Sequence, residues 1–340
     1  MKKINILIDS MDNSGGTDRV ASVLANSLIE YNIFVDIFVL RGGDAYYPLS
    51  EKVKYHKLKG SNRIIKIIRF CKAIENGDKV IVISMGKLSA QAIPIIKILN
   101  KCDVICSDHV SFESFPKYIQ ILKLIAYRLA NKVVVLTNND KEVLNKYLDK
   151  SKIEIIKNSS PFKKEVGCTK ENIILAVGRL TYQKNFKELL EIWKRVNNTN
   201  YRLLIVGDGE DKPELLKYIQ NNNLNNVNIV PPSKNIQDYY SVCKILVLTS
   251  RYEGLPMVMI EAKNFGLATI AYDCKTGPAE LIENDGILIE YGNRDKFVES
   301  LNKLMIDNAY LEKLSQKAYM NSEYFDEKYI ADKWVSLIWG

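Results

Sequence analysis

Short apolar runs alternate with longer segments of helical periodicity along most of this chain, and this alternation constrains the fold more than any other feature. The first run, at 3–8, is followed by a segment from about 17 to 31 in which apolar residues recur at helical spacing. Such alternation favours parallel sheets that are covered by helices on both faces, so we predict an α/β protein. The predicted strands are 3–8, 34–40, 53–56, 80–84, 104–107, 132–137, 153–156, 201–206, 227–230 and 244–249, with a further strand in the run before Gly178. The segment 139–148 is expected to be a helix, and 270–282 is expected to form a strand, a turn and a helix.

The length of the chain predicts two domains. At 340 residues it exceeds the size at which one hydrophobic core usually keeps growing, and two domains of about 150–180 residues are expected. The polar segment 157–165 separates two alternating regions and is expected to be the hinge. We therefore predict a first domain at 1–160 and a second at 168–322. The last segments, 293–305, 308–321 and 325–340, are expected to be helical.

The composition excludes several other classes of protein. The six cysteines show no Cys-x-x-Cys spacing and there are only two histidines, so buried thiols are expected rather than a disulfide or zinc framework. No apolar run is long enough to span a bilayer, and residues 1–9 resemble a strand rather than a signal peptide. We expect a cytoplasmic protein without a nucleic-acid partner.

Basic residues are concentrated in the first half of the chain. Residues 1–165 hold 27 Lys and Arg against 17 Asp and Glu, whereas the remainder holds 21 against 23. Between Lys52 and Lys72 lie eight basic residues and no acidic one, and residues 115–128 form a second basic, apolar segment. Basic amphipathic helices favour an anionic membrane surface. We expect a peripheral contact with the inner face of the cell membrane; the alternative is a surface helix whose apolar face lies in the core.

Two carboxylates stand at a predicted strand-loop-helix junction. The run at 244–249 predicts a buried strand, and Pro256 is expected at the first helical position, where its missing N–H costs nothing. Glu253 lies in the loop, and Glu261 follows eight positions later within an apolar helix, where a carboxylate needs a partner or water. Loops of this kind lie at the carboxyl edge of a parallel sheet, where ligands bind. The alternative is that both glutamates are solvated surface residues.

A second junction carries two cations. Gly178 and Arg179 follow the apolar run at 173–177, and Lys184 comes five residues after Arg179. Two cations beside a strand end and a helix N-terminus suit a diphosphate. A plain surface loop is the alternative.

Glycines and one histidine mark three further loops. Gly15 and Gly16 permit positive φ and a close approach of a ligand to the backbone. Gly207 and Gly209 form a Gly-x-Gly turn after a predicted strand, without the third glycine of the dinucleotide fingerprint. His109 follows a predicted buried strand, at a place where a residue lining a crevice is expected.

These motifs together resemble those of the retaining family-4 glycosyltransferases. The paired glutamates of 253–261 and the segment Val-Gly-Arg-Leu-Thr-Tyr-Gln-Lys at 177–184 are the most specific matches, and the loops around Gly15 and Gly277 are also similar. Two positions depart from the family pattern, since Ser159 and Pro232 stand where glycine is common. The resemblance implies the GT-B fold, in which two Rossmann-like domains face a central cleft and a C-terminal helix crosses back to the first domain.

The resemblance also implies a role for each motif. Arg179 and Lys184 would hold the diphosphate of a nucleotide-sugar, Glu253 would bind the sugar hydroxyls and Glu261 the ribose. His109 would position the sugar, with a chemical role in proton transfer left open. The rest of the donor site would be formed by Gly15, Gly16, Gly178, Gly207, Gly209, Pro232, Leu255, Pro256, Met257 and Val258.

The implied function is transfer of a sugar from a nucleotide-sugar, with a UDP-sugar as the first expectation, to a saccharide acceptor. An acceptor linked to polyprenyl diphosphate, in the synthesis of a bacterial surface polysaccharide, would account for the basic first half. No Asp-x-Asp occurs in the sequence, so we expect no metal cofactor. Three alternatives are an oxidoreductase that uses a nicotinamide cofactor, a nucleotide-sugar 2-epimerase and a non-catalytic carbohydrate-binding protein.

Overall fold

The computed structural model describes residues 2–165, 169–197 and 200–340. The chain forms two compact units, one of Met1–Ser159 with Glu327–Gly340 and the other of Ser160–Asp326. Each unit contains one parallel sheet flanked by helices, so the prediction of an α/β protein with two Rossmann-like domains is confirmed. The predicted start of the second domain, residue 168, lies outside the described residues.

The first unit is built on a seven-stranded parallel sheet. Its strands are β1 (Lys3–Ile8), β2 (Phe34–Val39), β3 (Lys54–Lys57), β4 (Lys79–Ser84), β5 (Asp103–Asp108), β6 (Lys132–Val135) and β7 (Ile153–Ile155), in the spatial order β3-β2-β1-β4-β5-β6-β7. Its helices are α1 (Gly16–Glu30), α2 (Arg63–Ala73), α3 (Leu88–Leu99), α4 (Lys117–Leu129), α5 (Asn138–Leu144) and, from the end of the chain, α12 (Glu327–Trp339). All seven predicted strands are present, with ends shifted by one or two residues.

The two faces of this sheet are covered by different helices. Side chains of α2, α3, α4 and α5 pack into one apolar cluster, and side chains of α1 and α12 pack into another on the opposite face. The central strands β1 and β4 are buried on both faces, which explains why their sequences are nearly continuous apolar runs. α12 contributes Ile330, Trp334 and Ile338 to the second cluster, and Ser27 of α1 donates a hydrogen bond to Glu327 at 2.6 Å.

The second unit is built on a six-stranded parallel sheet. Its strands are β8 (Ile173–Val177), β9 (Arg202–Val206), β10 (Val227–Val230), β11 (Ile245–Leu248), β12 (Ala268–Asp273) and β13 (Gly286–Glu290), in the order β10-β9-β8-β11-β12-β13. Its helices are α6 (Phe186–Trp193), α7 (Lys212–Asn221), α8 (Gln237–Val242), α9 (Met257–Lys263), α10 (Arg294–Ile306) and α11 (Asn308–Asn321).

Two predicted helices are shorter in the structure than the sequence suggests. The helix expected after residue 277 is one 3₁₀ turn, Pro278–Glu280, because the chain turns at once into β13, a strand that the sequence reasoning did not predict. The helix predicted to reach residue 148 ends at Leu144, where tight turns replace it. Among the described residues, no helix combines the length and the apolar character needed to cross a bilayer.

Strand order places a switch point in each sheet. In the second unit the chain moves from β8 to β9 and β10 on one side and returns to β11 on the other side of β8. In doubly wound sheets, ligands bind beyond the carboxyl ends of the strands where the order reverses in this way. The loops that follow β8 and β11 are therefore the expected ligand-binding loops of this unit.

Candidate active site

Arg251 joins the loops that follow β8 and β11. Because these strands pair directly, their loops leave the sheet side by side. The Arg251 backbone N–H donates to the carbonyl of Gln183 at 2.8 Å, and its guanidinium donates to the carbonyl of Tyr182 at 3.1 Å and to Oδ1 of Asn185 at 2.9 Å. Asn185 is left-handed, with φ 55° and ψ 45°, at the start of α6. The sequence reasoning missed Arg251, whose partners are some 65 residues away.

Lys184 and Glu253 form an ion pair between these two loops. Lys184 Nζ lies 2.7 Å from Glu253 Oε1, and the side chains are 20% and 6% exposed. The Lys184 side chain runs along Gly178, where a Cβ atom would come within 3.2 Å of Lys184 Cε. The structure thus brings two of the predicted catalytic residues into direct contact at the switch point. Glu253 is a buried, paired carboxylate and not a solvated surface residue.

The loop that follows β12 supports Glu253 from the other side. Thr276 has a φ of 64°, and its hydroxyl donates hydrogen bonds to the carbonyls of Glu253 and Lys275. Gly277 has a φ of 95°, and a Cβ atom there would lie 2.6 Å from the carbonyl oxygen of Gly254 and 3.0 Å from Glu253 Cβ. Only glycine fits this turn without a shift of the loop that holds Glu253.

Gly277→Ala should destabilise the second unit and lower turnover together. The new methyl group meets a backbone carbonyl and adopts a disfavoured φ, which should cost about 1–3 kcal/mol more than the backbone strain alone. Gly292→Ala is the matched control, because Gly292 has a φ of 83° and no atom of the described residues lies within 4 Å of the place that its Cβ would take. Urea unfolding and kcat of both variants measure the difference. Equal effects of the two substitutions would contradict a role for Gly277 in placing Glu253.

Glu261 lies in α9 and is buried at 3% exposure. Its Oε2 accepts a hydrogen bond from the hydroxyl of Tyr240 in α8 at 2.8 Å. The partner that a carboxylate in an apolar helix requires is therefore supplied in part by Tyr240, a residue that the sequence reasoning did not single out. The ribose-binding role of Glu261 stays a prediction.

Arg179 is exposed at the end of β8, and none of the described residues forms an ion pair with it. Beside it, Gly207 and Gly209 let the loop after β9 approach very closely. A Cβ atom on Gly207 would lie 2.0 Å from the carbonyl oxygen of Gly178. A Cβ atom on Gly209 would lie 2.3 Å from the carbonyl oxygen of Leu180. These glycines hold the Arg179 loop in place.

The remaining predicted donor residues lie at the carboxyl edge of the second sheet. α9 begins at Met257, so Pro256 precedes the helix and is not its first residue as predicted; its φ of −68° suits that position. Leu255 and Met257 are buried, and Val258 is partly exposed. Pro232 follows the edge strand β10 and is exposed, two strands away from β8.

In the first unit, the glycine loop differs from the prediction. Gly15 has a φ of −74° and precedes α1, which begins at Gly16, and neither glycine has a positive φ. The expectation that they use left-handed backbone is therefore wrong, because the chain enters α1 directly from extended backbone. The nearest atom to a Cβ at Gly15 is 3.9 Å away, on Asp18, so the backbone there is open to approach.

His109 is buried at the end of β5. Its Nε2 lies 3.0 Å from Ser107 Oγ, and its backbone N–H donates to the carbonyl of Ser84 at 2.9 Å. Burial lowers the pKa of His109 from 6.5 to about 4, against an opposing effect of Asp108. The imidazole is therefore neutral at neutral pH and suits a positioning role.

The depressed pKa of His109 predicts a specific loss of stability in acid. A histidine whose folded-state pKa lies below its unfolded value of 6.5 gives its full stability above about pH 6.5, and this stability is lost as the pH falls toward 4. Between about pH 7 and pH 4, wild type should lose about 3 kcal/mol more unfolding free energy than His109→Gln. Urea unfolding at both pH values measures this, and carboxylate protonation is common to both proteins. Equal losses would contradict a neutral, buried His109.

A buried charge network lies directly beneath His109. Lys123 of α4 is fully buried and donates to Asp108 Oδ2 at 2.7 Å and to Ser89 Oγ at 3.2 Å. The hydroxyl of Tyr127 also donates to Asp108. The network ties α3 and α4 to the end of β5. Its sequence signal is a lysine between two leucines, Leu122 and Leu124, in the middle of a helix.

The described residues include no group of three or more His, Cys, Asp or Glu side chains that could hold a metal ion. What the site offers instead is one exposed cation, Arg179, beside a second cation that is paired with a buried carboxylate. Such a site can bind a doubly charged anion and the polar groups attached to it.

Two Rossmann-like units, with cations and a buried glutamate at a switch point, define a glycosyltransferase of the GT-B class. Residues 157–321 match the family described as "Glycosyl transferases group 1". The chain is 45% identical to the amylovoran biosynthesis glycosyltransferase AmsD of Erwinia amylovora, over 99% of this chain and 100% of that protein. The chain belongs to this family of glycosyltransferases. The prediction of a transferase is confirmed, and the oxidoreductase alternative is wrong.

Other relatives agree with this assignment. A Campylobacter jejuni enzyme is 27% identical over 99% of this chain and 98% of its own length, and it is named as a GalNAc-α-(1→4)-GalNAc-α-(1→3)-diNAcBac-PP-undecaprenol α-1,4-N-acetyl-D-galactosaminyltransferase. The crystal structure of TarM aligns with 100% of this chain and with 99% of the TarM chain, with a TM-score of 0.86 at 16% sequence identity. The galactosyltransferase WaaB covers 99% of both chains, with a TM-score of 0.76 at 20% identity. These similarities confirm the predicted GT-B fold.

Proposed function

We propose that this protein is a retaining, family-4 glycosyltransferase that moves a sugar from a UDP-sugar to a lipid-linked saccharide in the synthesis of a bacterial surface polysaccharide. The observation on which this rests is the Lys184–Glu253 ion pair, beside the exposed Arg179, at the switch point of the second sheet. The second unit would bind the donor and the first unit the acceptor. The roles of Gly15, Gly16 and His109 stay predictions.

The names of relatives and of similar structures support the proposed setting, acceptor and nucleotide. The AmsD relative acts in amylovoran biosynthesis, and the Campylobacter relative acts on a saccharide linked to diphosphate and undecaprenol. Structures similar to this chain have been solved with UDP, one of them together with α-GlcNAc-glycerol. The α-linkages in these names support retention, since an α-linked donor that gives an α-linked product keeps its anomeric configuration.

The ion pair suggests how the site changes when the donor binds. Without an anion, the ammonium of Lys184 is compensated by Glu253. A diphosphate at this edge would compete for that ammonium, and the freed carboxylate could accept hydrogen bonds from sugar hydroxyls. Glu253 would thus hold Lys184 in place before the donor arrives and hold the sugar afterwards.

Charge grows on the diphosphate as the bond to the anomeric carbon breaks. Arg179 and Lys184 would stabilise this charge with fixed cations, as a metal ion does in other transferases. We therefore propose that no metal ion is required. The proton of the acceptor hydroxyl would pass to the leaving diphosphate, since burial lowers the pKa of His109 and makes its imidazole a weak base.

Thermal unfolding with nucleotides and a metal chelator present tests the proposal. A ligand at a concentration 100 times its Kd should raise the free energy of unfolding by about 2.7 kcal/mol. We expect this shift with UDP or a UDP-sugar, and we expect it to be lost in Lys184→Ala but kept in Lys187→Ala, whose ammonium pairs with Glu214 on the surface. No shift with any nucleotide would favour the non-catalytic alternative, and turnover of a UDP-sugar without acceptor would favour the 2-epimerase.

A further inference from the structure

Helix α4 carries large apolar side chains on its outer surface as well as on the side that packs against the first unit. On its inner side it buries Ile119, Ala126 and Tyr127 together with Lys123, whose ammonium lies within the network of Asp108 and Ser89. Five large side chains of the same helix are 43–60% exposed. These are Tyr118, Ile121, Leu122, Ile125 and Leu129. Their spacing follows one side of a helix, so they form a continuous apolar stripe on its outer surface.

The exposed stripe favours the first of the two interpretations that the sequence left open for residues 115–128, contact with a membrane surface. An ordinary surface helix has a polar outer side, whereas the outer side of α4 carries this apolar stripe in contact with solvent. Contiguous exposed apolar surface marks an interaction site, because its exposure to water is unfavourable. The buried Lys123–Asp108 pair fixes the rotation of α4 about its axis, so the stripe cannot turn inward without burying other charges.

Neighbouring helices extend the apolar stripe and surround it with positive charge. α3 packs between α2 and α4 and exposes Ile98 and Leu99 at its end, and α2 exposes Ile64 and Ile65. The sequences of α2, α3 and α4 contain eight Lys and Arg and no Asp or Glu. The eight cations are Arg63, Lys66, Arg69, Lys72, Lys97, Lys117, Lys123 and Arg128. Of these eight, only Lys123 is buried.

We propose that the face formed by α2, α3 and α4 docks on an anionic phospholipid bilayer, with the α4 stripe inserted at the boundary of headgroups and acyl chains. An apolar stripe bordered by Lys and Arg, with no carboxylate on its helices, is the pattern of a helix that lies in a membrane interface. This rests on the proposed lipid-linked acceptor, which would be presented at such a surface.

A second copy of the chain is a less suitable occupant of this face. In a two-fold dimer the same surface meets itself, so the cations of α2, α3 and α4 would be brought against an identical positive layer. An anionic bilayer matches both the charge and the apolar character of the face. The oligomeric state of the lipid-free protein distinguishes the two occupants.

Vesicle flotation of the full-length protein tests the proposal. We expect binding to vesicles of phosphatidylethanolamine with phosphatidylglycerol, much weaker binding to phosphatidylcholine, and a decrease with added salt. Ile121→Gln with Ile125→Gln should weaken partitioning at least about tenfold, and Lys117→Gln with Arg128→Gln roughly 30-fold. The replaced side chains are exposed, so the thermal stability of both variants should stay that of wild type.

Matched controls come from the second unit. Ile306→Gln replaces an isoleucine that is 74% exposed in α10, and Lys217→Gln with Lys313→Gln removes two exposed cations. These variants should partition as wild type does. The proposal is overturned if wild type does not bind anionic vesicles, or if the α4 variants bind as the controls do. It is also overturned if sedimentation shows a lipid-free dimer that Ile121→Gln with Ile125→Gln dissociates.

UDP binding and transfer to a water-soluble acceptor, measured on the same variants, separate this inference from the proposed function. Loss of vesicle binding with normal UDP binding in the α4 variants is the expected result. Vesicle binding by a wild-type protein that binds no nucleotide would leave the docking face standing and refute the proposed function. If the wild-type protein binds nucleotide and transfers sugar but does not bind vesicles, the proposed function would be supported and the docking face would be refuted.

Discussion

Replacing Lys184 with alanine should lower kcat by about 10²–10³-fold while the protein stays folded. The ammonium lies 2.7 Å from Glu253, at the place where we propose that the diphosphate leaves. Charge on that group is greater in the transition state than in the bound donor, so the loss should fall mainly on kcat. Initial rates of sugar transfer at saturating donor measure the effect, and circular dichroism confirms the fold.

Lys187→Ala is the matched control for this result. Lys187 lies three residues further along and pairs with Glu214, with side chains 54% and 61% exposed, so its removal should leave kcat unchanged. If Lys184 and Glu253 act as a unit, the double variant Lys184→Ala with Glu253→Gln should have a kcat only slightly below that of the less active single variant. Near-normal transfer by Lys184→Ala would refute the assignment.

Replacing Lys123 with alanine should destabilise the first unit by about 3–5 kcal/mol, because it leaves the carboxylate of Asp108 buried without its counter-charge. Both partners are nearly inaccessible, at 0% and 5% exposure of the side chains, and the pair joins α4 to β5. Urea unfolding measures the change. In a Trp193→Phe background the remaining tryptophans, Trp334 and Trp339, both lie on α12, so fluorescence reports on the first unit.

Two further variants test the cause of this loss. Lys132→Ala removes an exposed partner of Glu154, with side chains 36% and 42% exposed, and should cost less than about 1 kcal/mol. Lys123→Met with Asp108→Asn removes both charges and should recover most of the stability. A Lys123→Ala protein as stable as Lys132→Ala would contradict the importance of the buried pair.

Much of the fold could be predicted because the strands that form the sheet centres are buried on both faces. Such strands need continuous apolar sequences, and β1, β4 and β11 show them directly. β13 was missed because it is largely half-buried, and its short run carries a weaker signal. The loops that follow strands could be placed at one sheet edge for the same reason, which is why Lys184 and Glu253 could be expected near each other.

The contacts that complete the site could not be predicted, because they join distant segments through tertiary packing. Nothing local distinguishes Arg251, whose guanidinium bonds to Asn185, or Tyr240, whose hydroxyl bonds to Glu261. Periodicity predicted the helix at α4 and its apolar stripe, but it does not say which side of a helix faces the core. The buried side of α4 is the one on which Ala126 and Tyr127 pack in the core and Lys123 bonds to Asp108.

The position of α12 has a consequence for the synthesis of the protein. Ile330, Trp334 and Ile338 complete one face of the first sheet. In the sequence, however, residues 160–326 of the second unit separate them from the other residues of that core. During translation the core of the first unit therefore stays incomplete, with an apolar surface exposed to solvent, until the second unit and α12 have been synthesised. A nascent chain that stops before residue 327 should depend on chaperones more than the finished chain does, and its first unit should be the part that aggregates.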